Sequence, residues 1–169
     1  PNTGHDLIKK WQEKYNLTNI TTNVSDLFEK ASVENTIHLH GNIQRIYCPS
    51  CGTTINMDSS RLFYEDGTIN KIVEHKHKKD CQYNHWKPDV VFFGEMAPEY
   101  RNLESIVSKC DKETVIVIVG ASNIVVDFLS IALQTDSFII VVDTNPDIMN
   151  GYENTNTIFI NKSADEGLL

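Results

Sequence analysis

The hydrophobic residues of this chain occur in short runs, most of them rich in β-branched residues and bounded by polar or turn residues. Short apolar runs of this kind are typical of β-strands that are buried on both faces of a sheet. The predicted strands are NITT (19–22), TIHLHG (36–41), VVFFG (90–94), VIVIVG (115–120), FIIVVD (138–143) and TIFI (157–160).

Stretches with the spacing of amphipathic helices lie between several of these strands. They are HDLIKKWQEKY (5–15), VSDLFEKA (24–31), EYRNLESIVSKC (99–110) and NIVVDFLSIALQ (123–134). Strands and helices therefore alternate in the first and last thirds of the chain. This alternation predicts an α/β fold with a doubly wound, mostly parallel sheet and right-handed crossovers.

Residues 47–86 interrupt this alternation. They contain cysteines, histidines and the basic run HKHKK, with little apolar periodicity. A segment this polar has few apolar side chains with which to build a core, whereas a bound metal ion can stabilise it. We therefore predict a small zinc-binding module at 47–86, inserted into a larger domain formed by residues 1–46 and 87–169.

One half of the predicted metal site is Cys48-Pro-Ser-Cys51, which is followed by Gly52. Two thiolates at this spacing can bind one Zn²⁺, and the glycine permits the backbone angles of the tight turn. A redox pair or an incidental pair of cysteines is the alternative interpretation.

The other half must come from EHKHKKDCQYNHW (74–86), which offers His75, His77, Cys81 and His85. Cys81 is the obvious third ligand. Either His77 or His85 would complete a tetrahedral site, so the spacing alone leaves the fourth ligand open.

Charge and cysteine usage narrow the classes of function. With 23 acidic and 15 basic residues the net charge is −8, which repels polyphosphate and argues against general nucleic-acid binding. No apolar run approaches the roughly 20 residues of a membrane span. Cysteines at metal-ligand spacing favour a reducing compartment, so we expect an intracellular protein, cytoplasmic or nuclear.

A histidine lies at the end of a predicted strand, because His40 is followed directly by Gly41. Ligands bind at the carboxyl ends of strands in open α/β sheets, and an imidazole group suits the role of general base. His38 would point to the same face if the strand is regular. Strand-end histidines are more often packed or hydrogen-bonded, so both interpretations of His40 stay open at this point.

Several motifs, taken in their order along the chain, favour the catalytic interpretation of His40. They are TTNVSDLFEKAS (21–32), HLHGN (38–42), CPSCG (48–52), KPDVVFFGEMAP (87–98), VIVIVGAS (115–122) and VDTNP (142–146). In this order they resemble the sirtuins, which are NAD-dependent protein deacylases, and the resemblance runs from PNTGH (1–5) to NKSADEGLL (161–169). It implies a Rossmann-like NAD-binding catalytic domain, NAD and zinc as cofactors, and an acyl-lysine protein or peptide as substrate.

The resemblance also implies roles for individual residues. His40 matches the catalytic histidine of the family. Asn23 matches the asparagine that positions the nicotinamide ribose and a nearby water molecule, and Thr22 and Ser25 belong to the same cofactor-binding motif.

Further cofactor contacts are implied at two turns. Gly120, Ala121 and Ser122 match the Gly-Thr-Ser turn that meets the ribose and phosphates, and turns of this kind offer backbone N–H groups to anions. Asn145 matches an asparagine that contacts the adenosine ribose. Without the resemblance, Ser122 is equally a helix N-cap and Asn145 a turn residue.

The segment Val91, Phe93, Gly94 and Glu95 matches the one that lines the acyl-lysine tunnel and pairs with the substrate backbone as an added strand. On periodicity alone, the first two could equally belong to a core.

For the metal site, the resemblance implies that Cys48, Cys51, His77 and Cys81 are the ligands. The last zinc ligand of sirtuins lies well before the proline of the Lys/Arg-Pro-Asp motif, which fits Cys81 better than His85. His77 then replaces the usual third cysteine, with His85 as the alternative.

The chain departs from the sirtuin pattern in three respects. Thr22 and Ser25 replace the glutamine and aspartate of the Gln-Asn-x-Asp motif, and Phe28 replaces a usual histidine. The glycine-rich Gly-Ala-Gly-x-Ser segment that opens sirtuins is not in the sequence, so we expect a fragment, or a chain that needs this segment for full NAD affinity. The departures leave two alternatives to a deacylase: a defence-type NAD hydrolase, and a non-catalytic zinc module that binds a protein partner.

Overall fold

The structure is a computed structural model that describes residues 1–56, 81, 86–122, 126–152 and 156–169. The helices are α1 (Thr3–Gln12), α2 (Leu27–Lys30), α3 (Tyr100–Val107), α4 (Phe128–Ala132) and α5 (Ala164–Gly167), with a 3₁₀ helix at Pro146–Met149. The strands are β1 (Ile20–Thr21), β2 (Ile37–His38), β3 (Gly41–Tyr47), β4 (Thr54–Asn56), β5 (Lys87–Val90), β6 (Val115–Val119), β7 (Phe138–Val142) and β8 (Thr157–Ile160).

The chain folds into two compact units. The first contains residues 1–17 and 100–169, and the second contains residues 18–99. The module predicted at 47–86 lies within the second unit, and its boundaries stay a prediction. In the described ranges no helix combines the length and apolar composition needed to cross a membrane.

The first unit is built on a parallel sheet with the strand order β6-β7-β8. Its β-branched strands are covered on both faces, as the apolar runs predict. On one face Ile139 and Val141 of β7 pack with Leu129 of α4. On the other face Val142 packs with Leu7 of α1 and with Leu168, which follows α5. Parallel strands with helices on both faces confirm the predicted α/β class.

Helix α1 begins earlier than its apolar spacing predicts because its first turn is capped. The side chain of Asn2 accepts a hydrogen bond from the backbone N–H of His5 at 3.2 Å, and the His5 side chain bonds back to the Asn2 backbone. This reciprocal arrangement satisfies N–H groups that have no partner inside the helix.

The second unit contains two small sheets. Strands β1 and β2 pair in parallel, with Ile20 opposite Ile37. Strand β3 lies at the centre of an antiparallel sheet with the order β4-β3-β5. Strands β3 and β4 were not among the strands predicted from apolar runs. The strand predicted at 90–94 was wrong, because β5 ends at Val90.

Gly41, the first residue of β3, is the residue at which β3 and β5 approach each other closely. It adopts a φ of +83°, and a Cβ atom placed on it would lie 1.9 Å from the backbone oxygen of Asp89. The close approach therefore requires glycine both for its backbone angle and for its lack of a side chain.

We expect Gly41→Ala to lower the free energy of unfolding by about 2–5 kcal/mol, since left-handed strain adds to a backbone clash. Gly151→Ala is a matched control, because Gly151 has a φ of +86° and nothing within 4 Å of its added Cβ. Gly151→Ala should lower the free energy of unfolding only by the backbone strain, about 1–2 kcal/mol. Urea unfolding of both variants measures the difference, and equal losses would show that the contact with Asp89 is unimportant.

Candidate functional site

His40 lies in the turn between β2 and β3 and is half-buried. Its backbone carbonyl accepts a hydrogen bond of 2.9 Å from the N–H of Val91, the first residue after β5. The N–H of Leu39 donates to the carbonyl of Thr21 at 2.9 Å. The turn that carries the candidate base is thus fixed by backbone bonds to two other segments, the end of β1 and the start of the 91–95 segment.

The loop after β1 carries Thr22, Asn23 and Ser25. The N–H of Asn23 donates to the hydroxyl of Thr21 at 3.0 Å, so the backbone is held while the Asn23 side chain is exposed. The carbonyl of Val24 accepts a 2.8 Å bond from Ile43 of β3. Thr22 and Ser25 are half-buried in the same loop. The structure therefore places Asn23, His40 and Val91 on adjoining segments of one unit.

Residues 92–95 are exposed, and Val91 before them is half-buried. Phe93 is fully accessible and Phe92 is about half accessible, so the apolar run is on the surface and is not a buried strand. A turn organises it, because the Glu95 carboxylate accepts a 3.0 Å bond from the N–H of Phe92 and pairs with the Lys87 ammonium. The ammonium also lies 4.8 Å from the centre of the Phe92 ring.

This ion pair shifts the acid–base properties of both partners. The hydrogen bond from Lys87 and the N–H of Phe92 lower the pKa of Glu95, and the Glu95 carboxylate raises the pKa of Lys87. Both groups are therefore charged over a wide range around neutrality. The pair fixes the turn at Gly94, which has a φ of +86°.

In the first unit, Gly120, Ala121 and Ser122 follow β6. The N–H of Gly120 donates to the carbonyl of Val142 at 3.0 Å, and Gly120 has a φ of +59°. Gly120 and Ser122 are exposed at the carboxyl end of the strand. This is the edge of a parallel sheet at which ligands bind in open α/β folds.

Asn145 lies near the same edge, after β7. It is exposed, and its side-chain oxygen accepts a 3.0 Å bond from the N–H of Asp147 at the start of the 3₁₀ helix. Its own N–H donates to the Asp143 carboxylate at 2.8 Å. Because β6 and β7 are neighbouring parallel strands, the Gly120 and Asn145 turns leave the sheet at adjacent positions.

Three of the predicted metal ligands meet in the second unit. The sulfur atoms of Cys48, Cys51 and Cys81 lie within 4.8 Å of one another, and those of Cys48 and Cys81 are 3.7 Å apart. Two sulfurs of a tetrahedral zinc site with Zn–S bonds of about 2.3 Å are about 3.8 Å apart. Three thiols at this separation fit a zinc ion. His77 and its alternative His85 lie outside the described residues.

The turn at 48–52 favours the thiolate form of Cys48. Burial by itself raises the pKa of its thiol, but hydrogen bonds from the backbone N–H groups of Cys51 and Ser50 offset this, so the net pKa is lowered. The thiolate is the form that binds metals. Gly52, with a φ of +68°, closes the turn through a 2.9 Å bond from its N–H to the Cys48 carbonyl.

Two polar networks beside these sites were not among the predicted functional residues. His38 bonds to Glu29 at 2.7 Å in the second unit. In the first unit the Asp127 carboxylate accepts bonds from Ser130 at 2.6 Å and from Tyr152 at 2.5 Å, and these bonds lower its pKa against the effect of burial. His38 lies nine residues from Glu29 and Tyr152 lies 25 residues from Asp127, so only three-dimensional proximity reveals these two contacts.

Comparison with known proteins shows the family to which this chain belongs. The Sir2 family model matches residues 1–127. An NAD-dependent protein deacylase of Mycobacterium tuberculosis is 33% identical over 171 residues, covering 99% of this chain and 68% of that protein. A deacylase of Helicobacter hepaticus is 33% identical over 129 residues, covering 76% of this chain and 46% of that protein.

Solved structures agree with the sequence relatives. A Sir2 homologue in complex with NAD superposes with a TM-score of 0.71 at 26% identity, covering 99% of this chain and 62% of that one. The chain belongs to the Sir2 family, the sirtuins. It spans between about half and two thirds of the length of these relatives.

Proposed function

We propose that this chain carries the catalytic residues of an NAD-dependent protein lysine deacylase. The observation that carries the proposal is the bond between the Val91 N–H and the His40 carbonyl, which joins the candidate base to the segment matched to the substrate-binding strand. The relatives named NAD-dependent protein deacylase supply the chemistry.

NAD, when bound, would supply an electrophilic ribose carbon, nicotinamide as its leaving group and a ribose hydroxyl as acyl acceptor, so that the products are nicotinamide, the deacylated lysine and O-acyl-ADP-ribose. His40 then acts as general base: its imidazole accepts a proton from a ribose hydroxyl, a role worth about 10²–10⁴-fold in rate. The exposed Asn23 side chain lies on the adjoining loop, where it orients the nicotinamide ribose, with Thr22 and Ser25 lining the same pocket.

The substrate is an acyl-lysine protein or peptide. The segment Val91, Phe93, Gly94 and Glu95, exposed from Phe93 onward, offers backbone groups to an extended peptide, which would bind as an added strand. The Lys87–Glu95 ion pair holds that segment in its turn. The large exposed ring of Phe93 supplies apolar surface for the acyl-lysine chain.

In the first unit, the turn at Gly120, Ala121 and Ser122 offers backbone N–H groups to the ribose and phosphates of NAD. Asn145, held by its own cap to Asp147, provides an amide for the adenosine ribose. Both turns leave the sheet at its carboxyl edge, where dinucleotides bind in this class of fold.

Zinc has a structural role in this proposal. Cys48, Cys51 and Cys81 hold it, with His77 as the fourth ligand and His85 as the alternative. The metal stabilises the polar segment that follows β3 and has no part in the reaction. An intracellular location, cytoplasmic or nuclear, stays a prediction.

The test is whether nicotinamide release by the full-length protein requires an acyl-lysine peptide. We expect NAD consumption with an acetyl-, succinyl- or long-chain acyl-lysine peptide and almost none with the unmodified peptide. Peptide-independent release would instead indicate an NAD hydrolase. No consumption, together with no thermal shift on adding NAD, would indicate a non-catalytic zinc module. Neither alternative gains support from the deacylase relatives.

A further inference from the structure

His38 is a buried histidine whose two ring nitrogens both face hydrogen-bond acceptors. Its side chain is 4% accessible. Nδ1 lies 3.0 Å from the backbone carbonyl of Asn23, and Nε2 lies 2.7 Å from a carboxylate oxygen of Glu29. The side-chain nitrogen of Asn42 is also near Nε2, at 3.5 Å.

The partners of the two ring nitrogens fix the orientation of the imidazole ring. A backbone carbonyl can only accept, so Nδ1 donates in its bond with Asn23. The Glu29 carboxylate lies at hydrogen-bond distance from Nε2, on the other side of the ring.

The ring therefore connects helix α2 to the loop that carries Asn23. Glu29 lies on α2, and His38 is the last residue of β2. The Asn23 backbone is held on one side by the Thr21 hydroxyl and on the other by His38. Its side chain points into solvent from a backbone that these two bonds fix.

We propose that His38, oriented by Glu29, is a positioning residue that sets the place of the Asn23 side chain for the reaction at the nicotinamide ribose. This inference rests on the proposed function. His38 touches no substrate itself; it acts through the carbonyl of Asn23. Small displacements of a residue that orients a reacting group are costly, because productive geometry is narrow.

Two variants of similar size separate the two bonds of the ring. In His38→Asn, the side-chain amide nitrogen takes the place of Nδ1 and can still donate to Asn23. In His38→Gln, the amide nitrogen takes the place of Nε2, which keeps the bond to Glu29 and loses the one to Asn23. We expect kcat for nicotinamide release to stay within about threefold in His38→Asn and to fall about tenfold in His38→Gln. The KM for the acyl peptide should stay unchanged in both.

A double-mutant cycle excludes a merely structural role. If His38 acts through Asn23, His38→Gln should have almost no additional effect on kcat in the Asn23→Ala background. An undiminished tenfold effect in that background would overturn the proposal, as would equal rates for His38→Asn and His38→Gln in the parent background.

Amide hydrogen exchange of residues 19–26 gives a readout that needs no activity. Exchange should be faster in His38→Gln than in the parent and in His38→Asn, with similar melting temperatures for all three. Equal exchange in the two variants would overturn the positioning role. If the parent protein releases no nicotinamide, the proposed function fails, while the exchange comparison still decides whether the ring holds the Asn23 loop.

Discussion

Replacing His40 with alanine is expected to lower the rate of nicotinamide release by about 10²–10⁴-fold, because no other group is predicted to accept the ribose proton. The fold should survive. Alanine retains the His40 backbone carbonyl, which accepts the bond from Val91, and the His40 side chain is only half-buried. Steady-state release of nicotinamide with saturating NAD and acyl peptide measures the loss.

Melting temperature and zinc content serve as controls for this variant, and both should match those of the parent protein. The thermal shift produced by NAD should persist, since the groups matched to the adenosine ribose and phosphates lie in the other unit. Undiminished deacylation by His40→Ala would refute the role of general base.

The second large effect concerns the cysteine cluster. Cys48→Ser and Cys81→Ser should each abolish stoichiometric zinc binding and unfold much of the second unit. Zinc contributes about 10–16 kcal/mol to the folding of small zinc-binding peptides, and a metal site of this kind replaces an apolar core. Colorimetric zinc release and thermal unfolding measure both consequences.

Cys110→Ser is the matched control for these variants. Cys110 follows α3 in the first unit, outside the cluster, and its thiol donates to the Ile106 carbonyl at 3.5 Å. Burial is the main cause of the raised pKa of this thiol, and the charge of the neighbouring Asp111 raises the pKa further. The thiolate form is therefore disfavoured. Its zinc content should equal that of the parent. Full zinc occupancy in Cys48→Ser would contradict the assignment.

The sheet of the first unit could be predicted from sequence because its strands are buried on both faces. Residues 115–120 and 138–143 read as continuous apolar runs, and β6 and β7 lie within them. Strand β3 gave no such signal. Its two isoleucines, Ile43 and Ile46, are three residues apart, and the register with β5 shifts between Gly41 and Ile46. A bulge of this kind breaks the alternation of apolar and polar residues that marks a half-buried strand.

The apolar run at 90–94 shows the opposite error, because it predicts a strand over residues that, after Val90, do not form one. It was read as a buried strand, yet Phe92 and Phe93 are exposed. A hydrophobic run is buried only when other residues of the same chain cover it. A surface that binds an extended peptide can have the same apolar composition and stay exposed.

For the site, motif order identified the family, and the three cysteines meet as the spacing predicts. The roles of His40, Asn23, Ser122 and Asn145 stay predictions. The His38–Glu29 pair was invisible in the sequence, because a histidine and a glutamate nine residues apart carry no periodicity that links them. Only the chain reversal between α2 and β2 brings them together.

Strand β3 connects the proposed base to the predicted metal site in the second unit. His40 lies immediately before it and Cys48 immediately after it, so seven residues, about 23 Å of hydrogen-bonded backbone, separate the proposed base from the predicted metal ligand. Oxidation of the cysteines or chelation of the metal should therefore disrupt the unit that also carries His40, and the proposed activity should be lost together with the zinc. Specific activities of different preparations are comparable only after normalisation to their metal content.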